Sequence, residues 1–135
     1  MRLVLDTNVL VSALLRAPGP CGRLVDLLLD GAIEACVDER ILGEYQEVLV
    51  RPAFRFALPD IETVLEFFRH IAIPVVALPL DVALPDPDDL PFLEVAASAQ
   101  AILVTGNRRR FPKNAIGSVV VVSPTEYLKA LQRTP

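Results

Sequence analysis

Short apolar runs alternate along this chain with longer segments in which apolar residues recur every three or four positions. The runs predict five strands, at residues 3–5, 33–37, 75–78, 102–105 and 119–122. The periodic segments predict helices that begin near residues 7, 20, 39, 59, 88–89 and 124. Because strands and helices alternate and the strands are almost continuously apolar, we expect a three-layer α/β/α fold around a mostly parallel sheet.

The helix that follows Asp38 has a clear apolar face, and Asp38 is a suitable N-cap for it. The face consists of Ile41, Leu42, Tyr45, Val48 and Leu49. At about 100° per residue, Glu44 lies at the border of this face and can reach a crevice at the strand ends, whereas Glu47 points away from it. The alternative is that Glu44 is one more solvated surface residue.

Composition indicates one folded domain, which we assign to residues 1–135. Apolar residues make up 53% and charged residues 22%, so the chain can bury a sizeable core. No apolar stretch approaches the roughly 20 residues of a membrane helix, and Asp6 interrupts the only candidate signal sequence, so we expect a cytoplasmic protein. Cys21 and Cys36 fit no metal or redox spacing and are expected to be reduced thiols.

The net charge and the histidine content of the chain exclude some classes of function. The net charge of -4 comes from 17 acidic and 13 basic residues, and it argues against nucleic-acid binding by bulk positive charge. It does not exclude a nuclease that takes positive charge from a bound cation. His70 is the only histidine, so a metal site here would be built from oxygen ligands.

Acidic residues stand at two predicted strand-to-helix or loop-to-helix junctions. Asp6 follows the first strand, where parallel sheets bind ligands, although it could also simply cap the next helix. Asp86, Asp88 and Asp89 crowd the start of a later helix. Helix capping accounts for one or two of these three carboxylates. A third one adds charge repulsion, which a bound hard cation such as Mg²⁺ would relieve.

The fourth predicted strand ends in a polar segment, Thr105-Gly106-Asn107. If this strand lies beside the first one, Asn107 and Asp6 share a crevice at the carboxyl ends of the two strands. Four basic residues follow, and they are Arg108, Arg109, Arg110 and Lys113. They could contact phosphates, or they could form a solvated charged loop.

Four sequence blocks together resemble the PIN-domain family, in particular the VapC-like toxin components of bacterial toxin–antitoxin pairs. The blocks are V-L-D-T-N-V-L at 4–10, G-E-Y-Q-E-V-L at 43–49, D-P-D-D-L-P-F-L-E-V-A at 86–96 and V-T-G-N-R-R-R-F-P at 104–112. They occur in the family's order and cover nearly the whole chain. The resemblance implies a PIN-like α/β/α sandwich whose sheet of about five strands has the order 3-2-1-4-5.

The resemblance also implies an RNA-cutting enzyme that depends on Mg²⁺ or Mn²⁺. The family's catalytic acids correspond to Asp6, Glu44, Asp89 and the position of Asn107. Asp6 and Asp89 would bind the metal directly, and Glu44 would bind it or orient a water molecule. Many family members carry Asp at the position of Asn107, and Asp86, a further expected metal ligand, or Asp88 would compensate for the missing charge.

The same resemblance suggests where RNA would bind and which proteins would associate. The RNA-contacting residues would be Asn8, Thr105, Arg108, Arg109, Arg110 and Lys113. Thr105 or Asn107 would hold a metal-bound water or a phosphate oxygen. The expected partners are an RNA substrate, a cognate antitoxin and a second copy of the chain in a homodimer.

Three other functions compete with this interpretation. A haloacid-dehalogenase-type phosphatase needs a second Asp two residues after Asp6, where Asn8 stands. A phosphoacceptor receiver domain needs an acidic pair at the first strand and a Lys after the fifth, and the sequence has neither. The serious alternative is a PIN-fold binding module that has lost catalysis through Asn107.

Overall fold

The computed structural model describes residues 1–133, so the last two residues of the predicted 1–135 domain lie outside the described part. The strands are β1 (Arg2–Leu5), β2 (Glu34–Val37), β3 (Ile73–Pro74), β4 (Ile102–Val104) and β5 (Val121–Val122). The helices are α1 (Thr7–Leu15), α2 (Pro20–Leu29), α3 (Glu39–Leu49), α4 (Leu58–His70), α5 (Leu90–Ala99), α6 (Lys113–Ile116) and α7 (Pro124–Arg133). Short 3₁₀ turns occur at Pro52–Phe54, Pro87–Asp89 and Arg108–Arg110.

The five strands form one sheet in the order β3-β2-β1-β4-β5, and neighbouring strands are parallel. This confirms the predicted order. Strand β1 therefore has β2 on one side and β4 on the other, and the strand order reverses between β1 and β4. Leu5 is in register with Val104, so the residues that follow these two positions emerge next to each other at the carboxyl edge of the sheet.

Helices cover the sheet in two groups, as the predicted α/β/α fold requires. Helix α2 contacts α1 and α7, whereas α3 contacts α4 and α5, and α5 also packs on the central strands. Leu3, Val4 and Leu5 of β1 have no exposed surface at all. Three consecutive apolar residues that are all buried are typical of a strand in a parallel sheet covered on both faces.

Helix α3 is held firmly against the sheet. The side chain of Asp38 accepts a hydrogen bond of 3.0 Å from the backbone N–H of Ile41, which confirms the predicted N-cap. The hydroxyl of Tyr45 donates to the carbonyl oxygen of Leu5 at 2.5 Å, and its ring packs on Phe68 with 5.0 Å between the ring centroids. These contacts set the rotation of α3 about its axis and therefore the direction of its neighbouring side chains.

The third strand differs from the prediction of 75–78, because pairing is confined to Ile73 and Pro74. Its partner β2 ends at Val37, and beyond one further hydrogen bond from Val75 to that residue's carbonyl there is no strand left to pair with. Val76 is consequently 94% exposed. Apolar β-branched residues favour a strand, but only a neighbour with free backbone groups completes one.

The boundaries of other elements also differ from the predicted ones. The fourth and fifth strands are shorter than predicted, at Ile102–Val104 and Val121–Val122. Helix α4 ends at His70, and the next residue, Ile71, is 67% exposed. Within residues 1–133, no helix combines the length and the apolar character that crossing a bilayer requires.

Candidate active site

Two aspartates lie completely buried at the carboxyl edge of the sheet. Asp6 directly follows β1, and its backbone N–H donates to the carbonyl of Val104 at 2.9 Å, which ties it to β4. Asp89 precedes α5, and neither aspartate has any exposed surface. In each of them the Oδ1 atom has no hydrogen-bond partner among the described residues. A buried carboxylate oxygen without a partner is unusual, because desolvation of a charge is costly unless something compensates it.

Of the three clustered acids, only Asp89 is buried. Asp86 is exposed, and its Oδ1 accepts a 2.9 Å hydrogen bond from the backbone N–H of Asp88, so it caps the 3₁₀ turn that precedes α5. Asp88 is exposed as well. The turn thus orients Asp89 toward Asp6 and leaves Asp86, predicted as a metal ligand, in a capping role. The Asp6 side chain makes no such capping bond to α1.

Arg110 joins the two buried aspartates. Its Nε lies 2.9 Å from Oδ2 of Asp89, and its Nη1 lies 3.8 Å from Oδ2 of Asp6. Contact of this side chain with RNA stays a prediction, while the structure shows it engaged by two carboxylates. The 3₁₀ turn Arg108–Arg110 points its three side chains in different directions, and the one that faces inward meets two buried acids that need a counter-charge.

The other three members of the basic run stay at the surface. Arg108 forms an ion pair with Glu126 of α7. Arg109 and Lys113 are exposed. The basic run is therefore mixed. Two of its side chains are paired with acids and two are exposed to solvent.

Thr105 and Asn8 support the buried pair. The hydroxyl of Thr105 donates to Oδ2 of Asp6 at 2.7 Å, and both residues are buried. Oδ1 of Asn8 accepts from the N–H of Gly106 at 3.1 Å, which ties α1 to the end of β4. These two side chains, predicted to contact RNA, orient the carboxylate and the loop beside it.

Among the described residues, Asn107 is linked to Asp6 only through Thr105, whose hydroxyl oxygen accepts from the backbone N–H of Asn107 at 3.1 Å. Its Oδ1 accepts a 3.2 Å hydrogen bond from the N–H of Arg109, so it caps the turn that carries Arg110, and its side chain is exposed. The structure therefore brings Asp6 and Asp89 together and leaves Asn107 in a supporting position.

Glu44 reaches the same end of the sheet, as its place on the helix predicts. It accepts a hydrogen bond from the hydroxyl of Thr7, the first residue of α1, and is partly buried. Glu47 is 75% exposed and makes a long ion pair of 3.9 Å with Arg51. The different directions of the two glutamates follow from the orientation of α3 described above.

Burial controls the protonation of all three acids. Burial raises the pKa of Asp89 to about 6, although nearby Arg110 opposes the shift. Burial also raises the pKa of Asp6, against the hydrogen bond from Thr105 and the charge of Arg110. The pKa of Glu44 is raised by burial too, against the hydrogen bond from Thr7. The site holds more negative charge than its single guanidinium neutralises, which favours a further cation.

The described residues 1–133 contain no group of three or more His, Cys, Asp or Glu side chains placed to hold a metal ion. The predicted set of Asp6, Glu44, Asp86 and Asp89 is thus not assembled as a closed cluster. The donor atoms nevertheless fit a hard cation, because two buried carboxylates each offer an unpartnered oxygen. Mg²⁺ is commonly held by one or two carboxylates together with water and substrate phosphates.

A groove of about 450 Å³ lies beside this pair: Arg110, which contacts both aspartates, lines it, whereas Asp6 and Asp89 themselves do not. Glu44, Asp88 and Arg110 line one part of it, and Arg51 and Phe54 line another. The sequence did not predict a role for these last two residues, which lie just after α3, where the Arg51-Pro52 dipeptide indicates only a helix end. Arg51 lies two residues beyond the end of α3, so the helical period of that segment does not cover it and gave no signal for it.

Sequence analysis also missed Glu94, a buried acid of α5. It accepts 2.6 Å and 2.8 Å hydrogen bonds from Arg40 and from the backbone N–H of Leu80. These bonds tie α3 and the segment after β3 to α5, so the role of Glu94 is structural. The sequence did contain a signal for the burial of Glu94, because this residue lies among apolar residues in the predicted helix.

Residues 2–109 match the PIN domain family, and the chain belongs to that family. An uncharacterized protein of Methanocaldococcus jannaschii, MJ1680, is 28% identical over 111 residues, which cover 80% of this chain and 72% of that protein.

Two solved structures share the fold. VapBC2 from Rickettsia felis, bound to a DNA fragment from its promoter, aligns with a TM-score of 0.59 and 18% identity, covering 91% of this chain and 98% of that one. VapBC-1 from nontypeable Haemophilus influenzae aligns with a TM-score of 0.60 and 18% identity, covering 93% and 99%.

Proposed function

We propose that the protein is a cytoplasmic endoribonuclease that depends on Mg²⁺ or Mn²⁺ and serves as the toxin of a toxin–antitoxin pair. The observation that carries this proposal is the pair of fully buried aspartates with unpartnered oxygens, which Arg110 links to a neighbouring surface groove. Membership of the PIN domain family supports a nuclease, and the VapBC structures of the same fold support an antitoxin partner.

The buried aspartates would hold the cation, and each neighbouring side chain then has a defined task. A bound divalent cation supplies a water of lowered pKa and neutralises charge on the phosphate. Thr105 holds Asp6 in one orientation through its hydroxyl. Glu44, with one oxygen fixed by Thr7, would orient a water molecule in the groove that it lines. Exposed Arg109 and Lys113 remain candidates for contacts with RNA phosphates.

RNA cleavage by the purified protein tests this proposal. Wild-type protein should cut single-stranded RNA with Mg²⁺ or Mn²⁺ and should be inactive in EDTA. Asp6→Asn should abolish cleavage, whereas Asp26→Asn, which removes an exposed acid on α2, should leave it intact. Metal-independent cleavage, or full activity of Asp6→Asn, would refute the assignment.

A non-catalytic binding module is the second candidate, and one observation favours it. Arg110 lies between the two aspartates where a cation would otherwise sit, and Asn107 contributes no charge to them. Such a protein would bind RNA or an antitoxin without cutting. The variant Asn107→Asp separates the candidates, because it should raise the activity of a weakened nuclease and should give no cleavage in a pure binding module.

A further inference from the structure

We propose that Arg51 and Phe54 form a nucleotide-binding subsite, in which Arg51 contacts a backbone phosphate and the ring of Phe54 stacks on the adjoining base. The inference rests on the proposed function, since it assigns a second part of the same groove. It concerns the connection between α3 and α4, which lies outside the sequence blocks that carry the predicted site residues.

The first argument concerns positive charge. Among the residues that the structure describes, Arg51 and Arg110 are the basic side chains that line the groove. Arg110 is already engaged by two buried carboxylates, and Arg108 is paired with Glu126. In a protein of net charge -4, a polyanion inside this groove therefore depends on Arg51 for a direct cationic contact.

The second argument is that Arg51 is available. Its side chain is 55% exposed, and its ion pair with Glu47 is long, at 3.9 Å, and exposed on both sides. Pairs of this kind contribute little and are readily exchanged for another anion. A phosphate group can therefore replace Glu47 at low cost.

The third argument is the aromatic surface beside it. Phe54 is partly buried, and its ring stacks on Phe56 with 5.6 Å between the centroids and 14° between the planes. Phe54 lines the groove, whereas Phe56 does not. The stack holds the Phe54 ring in place, and base stacking on a fixed aromatic ring is a common means of binding single-stranded nucleic acid.

The spacing suits a strand that continues from the aspartates. Glu44 lies five residues before the end of α3, about 8 Å of helix axis at 1.5 Å per residue, and Arg51 follows that end by two residues. Base steps rise about 3.4 Å along each strand of a duplex and span more when the bases are unstacked. The subsite would therefore hold a nucleotide about one to three positions from the cleaved bond.

Fluorescence anisotropy with a labelled single-stranded RNA tests the subsite, in buffer with Ca²⁺ replacing Mg²⁺ and with the RNA checked to be intact. Phe54→Leu keeps the apolar packing but removes the ring, and it should raise Kd about 5- to 100-fold. Phe54→Tyr should restore binding. Phe67→Leu, the same change at a partly buried phenylalanine of α4 outside the groove, is the matched control and should bind like wild type.

Arg51→Gln should weaken binding at low salt and reduce the slope of log affinity against log salt by about 0.7. Arg55→Gln, the same charge change four residues away and outside the groove, should leave the slope unchanged. If wild type binds or cuts RNA while Phe54→Leu and Arg51→Gln bind as wild type does, the subsite is refuted and the proposed function stands. If wild type neither binds nor cuts RNA, both proposals fail.

Discussion

Arg110 is the side chain whose removal tells most about the buried site. Arg110→Gln leaves Asp6 and Asp89 without their common counter-charge while keeping a polar side chain of similar length. Breaking a buried ion pair by removing one partner costs about 3–5 kcal/mol. The guanidinium is 32% exposed, so solvent screens part of this interaction, and we expect the free energy of unfolding at pH 8 to fall by about 2–4 kcal/mol.

The loss should depend on pH. Burial raises the pKa of Asp89 to about 6, above its ordinary value of 3.8, so the folded protein binds this proton more tightly than the unfolded chain. Wild-type stability should therefore fall as the pH rises from about 4 to about 6 and then level off. Without Arg110 the pKa of Asp89 rises further, because an opposing positive charge is gone. The difference between variant and wild type should thus be small near pH 4.5 and largest above pH 7.

Magnesium should reverse the loss. A cation held by the two aspartates replaces the missing guanidinium, whereas in wild type it must first displace Arg110. At pH 8, Mg²⁺ should therefore stabilise Arg110→Gln at lower concentration, and by more, than it stabilises wild type.

Urea denaturation followed by circular dichroism, at several pH values and Mg²⁺ concentrations, measures both effects. Arg109→Gln, an exposed neighbour, is the control and should show neither. An equal loss at pH 4.5 and pH 8, or the same Mg²⁺ response in variant and wild type, would show that Arg110 does not neutralise the pair.

Three further predictions concern catalysis and assembly. Asp6→Asn and Asp89→Asn should each lose RNA cleavage yet melt at or above the wild-type temperature, because one of two repelling buried charges is gone; a melt well below wild type would contradict this. Glu44→Gln should reduce cleavage far more than Glu47→Gln, since only the first faces the groove, and equal effects in a cleavage assay would show that it does not act there. We also expect a homodimer, which light scattering would exclude by finding a monomer at high concentration.

Local patterns in the sequence were enough to predict much of the fold. The alternation of apolar runs and helical periods predicted an α/β/α sheet, and capping by Asp38 marked the start of α3. These features depend on interactions between residues close in the chain, which a single sequence contains. The register of β3 could not be obtained in this way, because it depends on where its partner β2 ends.

The candidate site shows the same division between local and distant information. The position of Asp6 after a strand, of Glu44 beside an apolar face and of Asp89 at a helix start could all be deduced from neighbouring residues. The direction of Arg110 could not, because it is set by two carboxylates that lie 104 and 21 positions away in the chain. Burial makes an unpaired charge costly, so it is the packed tertiary structure that decides which arginine turns inward and which remain in solvent.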